Sequence, residues 1–185
     1  LFFTNFGKVY QLKMYEIPEG RRATKGKSIM NFLPLATDES VTSVLPVPKG
    51  AALEASSVVF VTEGGVVKRV VANSVGDVRR SGIIAINLKS GDTLVSANLA
   101  GSADTVSLVT AKGQSIRFDT KAVREMGRTA GGVRGISVKK GDRVVSAEVI
   151  PAGEKDASLL VIMSKGYGKR TKLTEYKVQG RGGSG

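Results

Sequence analysis

Residues 113–135 read GQSIRFDTKAVREMGRTAGGVRG, and the spacing inside this stretch decides how the rest of the chain is read. It holds two glycine-marked turns and a run of cations, Arg117, Lys121, Arg124, Arg128 and Arg134, with Lys112 just before it. Fifteen residues after Gly113 stands Arg128. The same step leads from Gly7 to Arg22, from Gly65 to Arg80 and from Gly166 to Arg181. One glycine-to-arginine interval met four times along a chain is the mark of a repeat protein.

Each copy of the interval is flanked by short apolar runs. Residues 1–10 (LFFTNFGKVY) predict two strands joined by a tight turn at 5–7. A polar connection over 11–26 ends in the basic loop 20–26 (GRRATKG), and 28–35 (SIMNFLPL) and 41–47 read as two more short strands. In the second unit, strands are expected over 56–62, 66–72, 83–88 and 93–99, with the turn at Glu63-Gly64-Gly65 and a shortened basic loop at Arg79-Arg80-Ser81-Gly82. The third unit runs from Asp104. Its last strand is entered by 141–147 (GDRVVSA), which matches 91–97 (GDTLVSA) in five of seven positions. The fourth starts at Ala157, turns at Lys165-Gly166 and reaches Gly185. Helical periodicity is weak, with 120–126 the sole candidate for a helical turn or two.

About four short strands per unit, rich in Val and Ile and repeating about every fifty residues, predict an all-β, propeller-like β-pinwheel built from four-stranded blades. The units fall at approximately 1–55, 56–103, 104–156 and 157–185, the last incomplete. Three and a half units are fewer than the about four blades of the smallest usual ring, so the expectation is one partial domain of a larger one.

Composition narrows the function. The 185 residues carry 28 Lys and Arg against 16 Asp and Glu, a formal net charge of +12, which predicts attraction to a polyanion. There is no cysteine and no histidine. That removes disulfides, thiolate metal sites and the commonest general base and metal ligand. No apolar run approaches the length of a bilayer span, and the opening Leu-Phe-Phe lacks the basic start of a signal peptide, so a cytoplasmic protein with no membrane partner is expected. Gly166-Tyr167-Gly168-Lys169-Arg170-Thr171 fails the phosphate-loop pattern, since Arg170 follows the lysine and Met163 stands where the first glycine is required. No catalytic constellation, cofactor site or small-molecule substrate site is expected.

Position within the repeat adds to total charge. Fifteen residues after the marker glycines stand Arg22, Arg80, Arg128 and Arg181; four after them stand Gln11, Arg69, Arg117 and Arg170; ten after them stand Ile17, Val75, Val123 and Tyr176. A regular fold puts equivalent residues at equivalent places, so the arginines should form a periodic basic rim while the apolar set faces the core. A lone surface arginine is ordinarily just solvated; four at one spacing within a basic chain argue for more. The loops after Arg22, Arg128 and Arg181 share Arg-x-x-x-Gly. Glycine lets the backbone approach a phosphate and arginine brings a charged fork, although a structural turn needing positive φ would use the same glycines.

Residues 1–35 (LFFTNFGKVY, YEIPE, NFLPL), 123–136 (VREMGRTAGGVRGI) and 166–176 (GYGKRTKLTEY) resemble the C-terminal domain of the bacterial DNA gyrase A subunit. The topoisomerase IV A subunit is a weaker likeness. The resemblance covers essentially the whole chain. It implies a six-bladed β-pinwheel whose basic rim wraps double-stranded DNA in support of ATP-dependent negative supercoiling. Breakage and reunion would lie in the rest of the A subunit and the ATPase in the B subunit of a heterotetramer, so ATP and Mg belong outside this chain. The family's wrapping motif QRRGGKG is expected before Leu1. Residues 179–185 (QGRGGSG) resemble a copy of it with Gly180 and Ser184 in place of two cations. The phosphate contacts expected are Arg21, Arg22, Lys25, Lys68, Arg69, Arg79, Arg80, Arg117, Arg128, Arg134, Lys169, Arg170 and Arg181. A propeller-like scaffold whose basic rim meets acidic proteins stays open as the rival reading.

Overall fold

The computed structural model describes residues 1–48, 56–76, 78–154 and 156–185. The expected boundary at residue 55 lies outside them. Among the described residues thirteen strands are present: β1 (Phe2–Thr4), β2 (Lys8–Tyr10), β3 (Val41–Val44), β4 (Ser57–Thr62), β5 (Val66–Val71), β6 (Ile83–Ile84), β7 (Leu94–Ala100), β8 (Thr105–Thr110), β9 (Ser115–Asp119), β10 (Val133–Arg134), β11 (Val144–Ile150), β12 (Ser158–Ile162) and β13 (Gly168–Lys172). The remaining regular pieces are single turns of 3-10 helix, and the fold is all-β.

The strands form antiparallel sheets in the orders β3-β1-β2-β6, β10-β5-β4-β7, β11-β8-β9 and β12-β13. Two of these orders share a consequence. β6, from the second unit, pairs with β2 of the first (Val9 opposite Ile83), and β10, from the third, pairs with β5 of the second (Val67 opposite Val133). Each of these units therefore lends its short third strand to the sheet before it. The run 83–88, expected as one strand, is paired only over Ile83–Ile84. Beyond it the N–H groups of Ala85 and Ile86 both donate to the carbonyl of Gly7, and the chain leaves the ladder.

That crossing explains the marker glycine. Gly65 sits at φ +81°, where the tight turn between β4 and β5 needs a left-handed residue. A Cβ there would lie 2.7 Å from the Ile136 carbonyl oxygen, because the incoming third unit bonds to the Gly65 carbonyl through Gly135 and Ile136. Turn conformation and close approach both demand glycine at one position.

The core lies between sheets, and β4 belongs to two of its halves. All six residues of Ser57–Thr62 are buried. Alternation sends Val58 and Phe60 against Phe3, Val9 and Val70 on one side, and Val59 and Val61 against Val106, Leu108 and Phe118 on the other. A strand covered on both faces reads as a continuous apolar run, as SVVFVT does. Phe3 and Phe60 meet edge to face at 5.5 Å.

In the first unit a buried carboxylate ties the 34–40 loop to the hairpin. Glu39 accepts hydrogen bonds from Thr4 Oγ1 (2.7 Å), the Ala36 N–H (3.0 Å) and the Tyr10 hydroxyl (3.2 Å), with Lys8 Nζ at 3.7 Å. Residues 28–35 are not the strand expected. Ser28 caps a 3-10 turn over Ile29–Asn31, leaving Ile29 and Met30 exposed and only Leu33 buried. Among the described residues no strand pairs with this run, and Pro34 has no N–H to offer a ladder. Residues 120–126 form a single 3-10 turn, Thr120–Ala122, and comparable turns at Met14–Glu16, Ala72–Val75 and Leu173–Glu175 follow the second strand of every other unit.

Candidate nucleic-acid interface

The loop carrying the repeated arginine leaves the 3-10 turn of one unit and runs along the seam with the preceding sheet. In the third unit Met126 N–H bonds the Arg69 carbonyl, and Ala130 O accepts from Asn87 N–H. In the fourth, Gln179 N–H bonds the Arg117 carbonyl, and Gly183 O accepts from Ser137 N–H. The same pair of bonds is made at the same repeat positions, so Arg128 and Arg181 are displayed equivalently. Both are exposed.

Arg21, Arg22, Lys25, Arg79, Arg80, Arg134, Lys169 and Arg170 are exposed as well. Among the described residues the ion pairs are Lys8–Glu39, Arg69–Glu125 and Arg143–Glu63, so none of these exposed cations is neutralised by a carboxylate there. Lys121 and Arg124, exposed on the approach to Arg128, extend the set; both lie inside the interval from Gly113 to Arg128 but at none of the repeat positions singled out from the sequence. Arg181 is oriented further. Its Nε donates to the Ala122 carbonyl (3.0 Å) and a terminal nitrogen donates to the Arg134 carbonyl (2.9 Å), which brings two exposed arginines together across one seam.

Three of the expected phosphate contacts are used inside the protein. Lys68 is 0% exposed, and its ammonium donates to the carbonyls of Ala85 (2.8 Å) and Arg128. Burial, with the Arg128 charge adding to it, brings its pKa down to about 8. Arg117 donates from Nε to Thr105 Oγ1 (2.9 Å) and from a terminal nitrogen toward the carbonyls of Leu173 (3.3 Å) and Tyr176 (3.4 Å). Arg69 is largely covered and faces Glu125 at 3.7 Å. These side chains stand where the following unit's segment docks, and that segment covers them. Arg170, at the matching place on β13, is covered by none of the described residues and is exposed.

The apolar set ten residues after the marker glycines divides likewise. Val75 and Val123 are buried, Tyr176 is partly covered, and Ile17 is 41% exposed, against the expectation that all four face the core. Val123 packs in the core between the second and third sheets, whereas the first unit's turn has no preceding sheet among the described residues to pack on.

Among the described residues no helix is long and apolar enough to cross a membrane, and no cluster of His, Cys, Asp or Glu could hold a metal ion.

Repeated antiparallel sheets, with the second and third units each lending a strand to the sheet before, define a propeller-like all-β architecture. The profile described as "DNA gyrase C-terminal domain, beta-propeller" matches residues 1–48, 56–100, 104–151 and 157–185. The chain belongs to that family. The DNA gyrase A subunit of Staphylococcus epidermidis is 41% identical over 185 residues, covering all of this chain and 20% of that protein. The gyrase A subunit of Deinococcus deserti is 41% identical over 188 residues, covering all of this chain and 23% of that one. The chain thus spans about a fifth of the length of these curated relatives. Among solved structures, the C-terminal domain of DNA topoisomerase IV superposes with a TM-score of 0.86 at 32% identity, over 100% of this chain and 56% of that one. The DNA gyrase A C-terminal domain superposes with a TM-score of 0.80 at 25% identity, over 100% and 57%.

Proposed function

We propose that this chain binds double-stranded DNA along its basic seam and bends it, without itself making or breaking a bond. The observation that carries the reading is the recurrence, unit after unit, of exposed arginines that no carboxylate among the described residues neutralises, above all Arg128 and Arg181 held by the same two main-chain bonds. The contact set expected from the sequence is accordingly reduced to Arg21, Arg22, Lys25, Arg79, Arg80, Arg128, Arg134, Lys169, Arg170 and Arg181. Lys68, Arg69 and Arg117 are excluded because they lie under neighbouring segments.

Contacts of this kind hold phosphates and carry little sequence information, so selection among DNA sites follows bendability. Bending a 20–30 bp segment by 40–90° costs about 1–6 kcal/mol, which phosphate contacts spread along the rim offset. In the longer parent protein the bent duplex would be presented to a cleavage core in the rest of the A subunit. ATP and Mg would act with the B subunit in a cytoplasmic heterotetramer, driving negative supercoiling.

The test is binding and bending of linear fragments and relaxed circles at graded length and salt. With about six to ten phosphates neutralised, affinity falls about 10³ to 10⁵-fold between 50 and 200 mM salt. Affinity that rises with DNA length, a steep salt slope and a measurable bend support the reading. A flat salt response rejects it and favours the scaffold for acidic proteins.

A further inference from the structure

Among the described residues Lys68 is the one fully buried cation, and nothing in a DNA-binding rim requires it to be there. It stands on β5, three residues after Gly65. The equivalent positions in the other units are Tyr10, Ile116 and Lys169. Tyr10 and Ile116 are buried like Lys68, and each meets the following unit's glycine loop, Tyr10 under Gly82 and Ile116 under Gly183. In the second unit the corresponding lid is the Arg128 loop. At Gly132 a Cβ would lie 2.8 Å from the Val67 carbonyl oxygen and 3.2 Å from Lys68 Cβ, so the loop rests directly on β5.

At this seam, in place of a phenol ring or an isoleucine, an ammonium sits beneath the loop, 6.0 Å from the centroid of the Phe60 ring. No carboxylate among the described residues pairs with it. Its acceptors are two carbonyls from different places in the chain: Ala85, just past the strand lent to the first sheet, and Arg128, the rim arginine itself. A buried cation with only neutral acceptors is costly.

We propose that Lys68 is a positioning residue for the DNA-binding rim, clasping the main chain of Arg128 from beneath so that the Arg128 guanidinium is held outward at a fixed place on the seam. The role rests on the DNA-bending reading above. Lys68 never touches a phosphate; its effect on DNA passes through Arg128. The fourth unit reaches a similar end by another route, since the Arg181 side chain bonds outward to Ala122 and Arg134 and its loop covers Ile116. One seam is pinned from within by a lysine and the next from without by the arginine itself.

The experiment compares the 185-residue chain with Lys68→Ile, Arg128→Ala and the double variant on a linear duplex of about 150 bp, roughly one persistence length. Isoleucine is what the fold already buries at 116, and Lys68→Met is a second variant should Lys68→Ile not fold. The expected result is that Lys68→Ile lowers the slope of log affinity against log salt by about 1, as the loss of one phosphate contact does. Arg128→Ala is expected to lower it equally, and the double variant to fall no further than either. Lys68→Arg, which keeps a buried donor, is expected to restore part of the slope. A wild-type slope in Lys68→Ile, or losses that add in the double variant, overturns the proposal while leaving the DNA reading intact. A flat slope in the wild type rejects the DNA reading itself. Independently of any variant, nitrogen NMR is expected to show Lys68 ammonium protons protected from exchange; rapid exchange overturns the clasp.

Discussion

The guanidinium of Arg117 donates to the main-chain carbonyl of Leu173 at 3.3 Å, across the seam between the third sheet and the 3-10 turn of the fourth unit. An arginine at a repeated position thus belongs to the joint between units. Arg117→Ala removes this bond and those to Tyr176 and Thr105, and is expected to destabilise the chain by about 1–3 kcal/mol in urea unfolding. It should leave the salt slope of DNA binding unchanged. Arg128→Ala is expected to do the reverse, with stability within about 0.5 kcal/mol of wild type and a slope lower by about 1. Measuring both quantities on both variants separates the joint from the rim, and equal slope changes would reject the separation.

Gly65 and Gly113 share one turn conformation, at φ +81° and +84°, but differ in surroundings. A Cβ at Gly65 meets the Ile136 carbonyl oxygen and Val138 Cγ2 at 2.7 Å, whereas at Gly113 nothing lies within 4 Å. Gly113→Ala should cost about 1–2 kcal/mol from the left-handed backbone alone. Gly65→Ala should cost that and a further amount of about 1–3 kcal/mol for the displaced seam. Thermal unfolding of the two variants reads the difference.

Lys68 makes stability depend on alkaline pH. Its pKa is about 8 in the folded chain against a usual lysine value of 10.5, so between those values the unfolded chain binds more protons. Stability relative to Lys68→Ile therefore stays level below about pH 8 and rises as pH climbs from about 8 to 10.5. Using the variant as reference removes Tyr10, whose hydroxyl is pushed up to about 12 by burial and by the Glu39 charge and so opposes the trend above about pH 10. Denaturant titrations of both proteins at graded pH check the sign; a falling difference would contradict the burial of a charged Lys68.

Glu39 shapes the acid side. Burial pushes its carboxyl up, but the bonds from Ala36 N–H and Thr4, the Lys8 charge and the Tyr10 hydroxyl together hold it below its ordinary value of 4.5. The contribution is present above that value and lost as pH falls through the lowered one. Glu39→Gln should destabilise the chain by about 1–3 kcal/mol at neutral pH and flatten the stability profile below about pH 4.5. Unfolding of both proteins across the acid range up to neutral pH decides it.

Much of the molecule could be read along the chain. The marker glycines, the hairpins flanking them, the strand over SVVFVT and the interval from glycine to arginine follow from turn conformation and side-chain pattern, which are local properties carried by neighbouring residues. The exposure of Arg22, Arg80, Arg128 and Arg181 followed from that interval. Residues 28–35 were misleading because an apolar run names no partner, and without an adjacent strand it settled into a 3-10 turn.

What the linear order could not hold is which sheet receives each short strand and which cations the next unit covers. Ile83 belongs to the sheet of Val9, far back along the chain, because backbone groups left free at the edge of β2 are satisfied by whatever chain packing brings past them. By sequence pattern alone, Lys68, Arg69 and Arg117 are as hydrophilic as Arg128. They differ only in that a later segment folds over them, so their charges meet carbonyls, Thr105 or Glu125 in place of solvent. Spacing set the period and the strands, and tertiary packing chose which charges reach the surface.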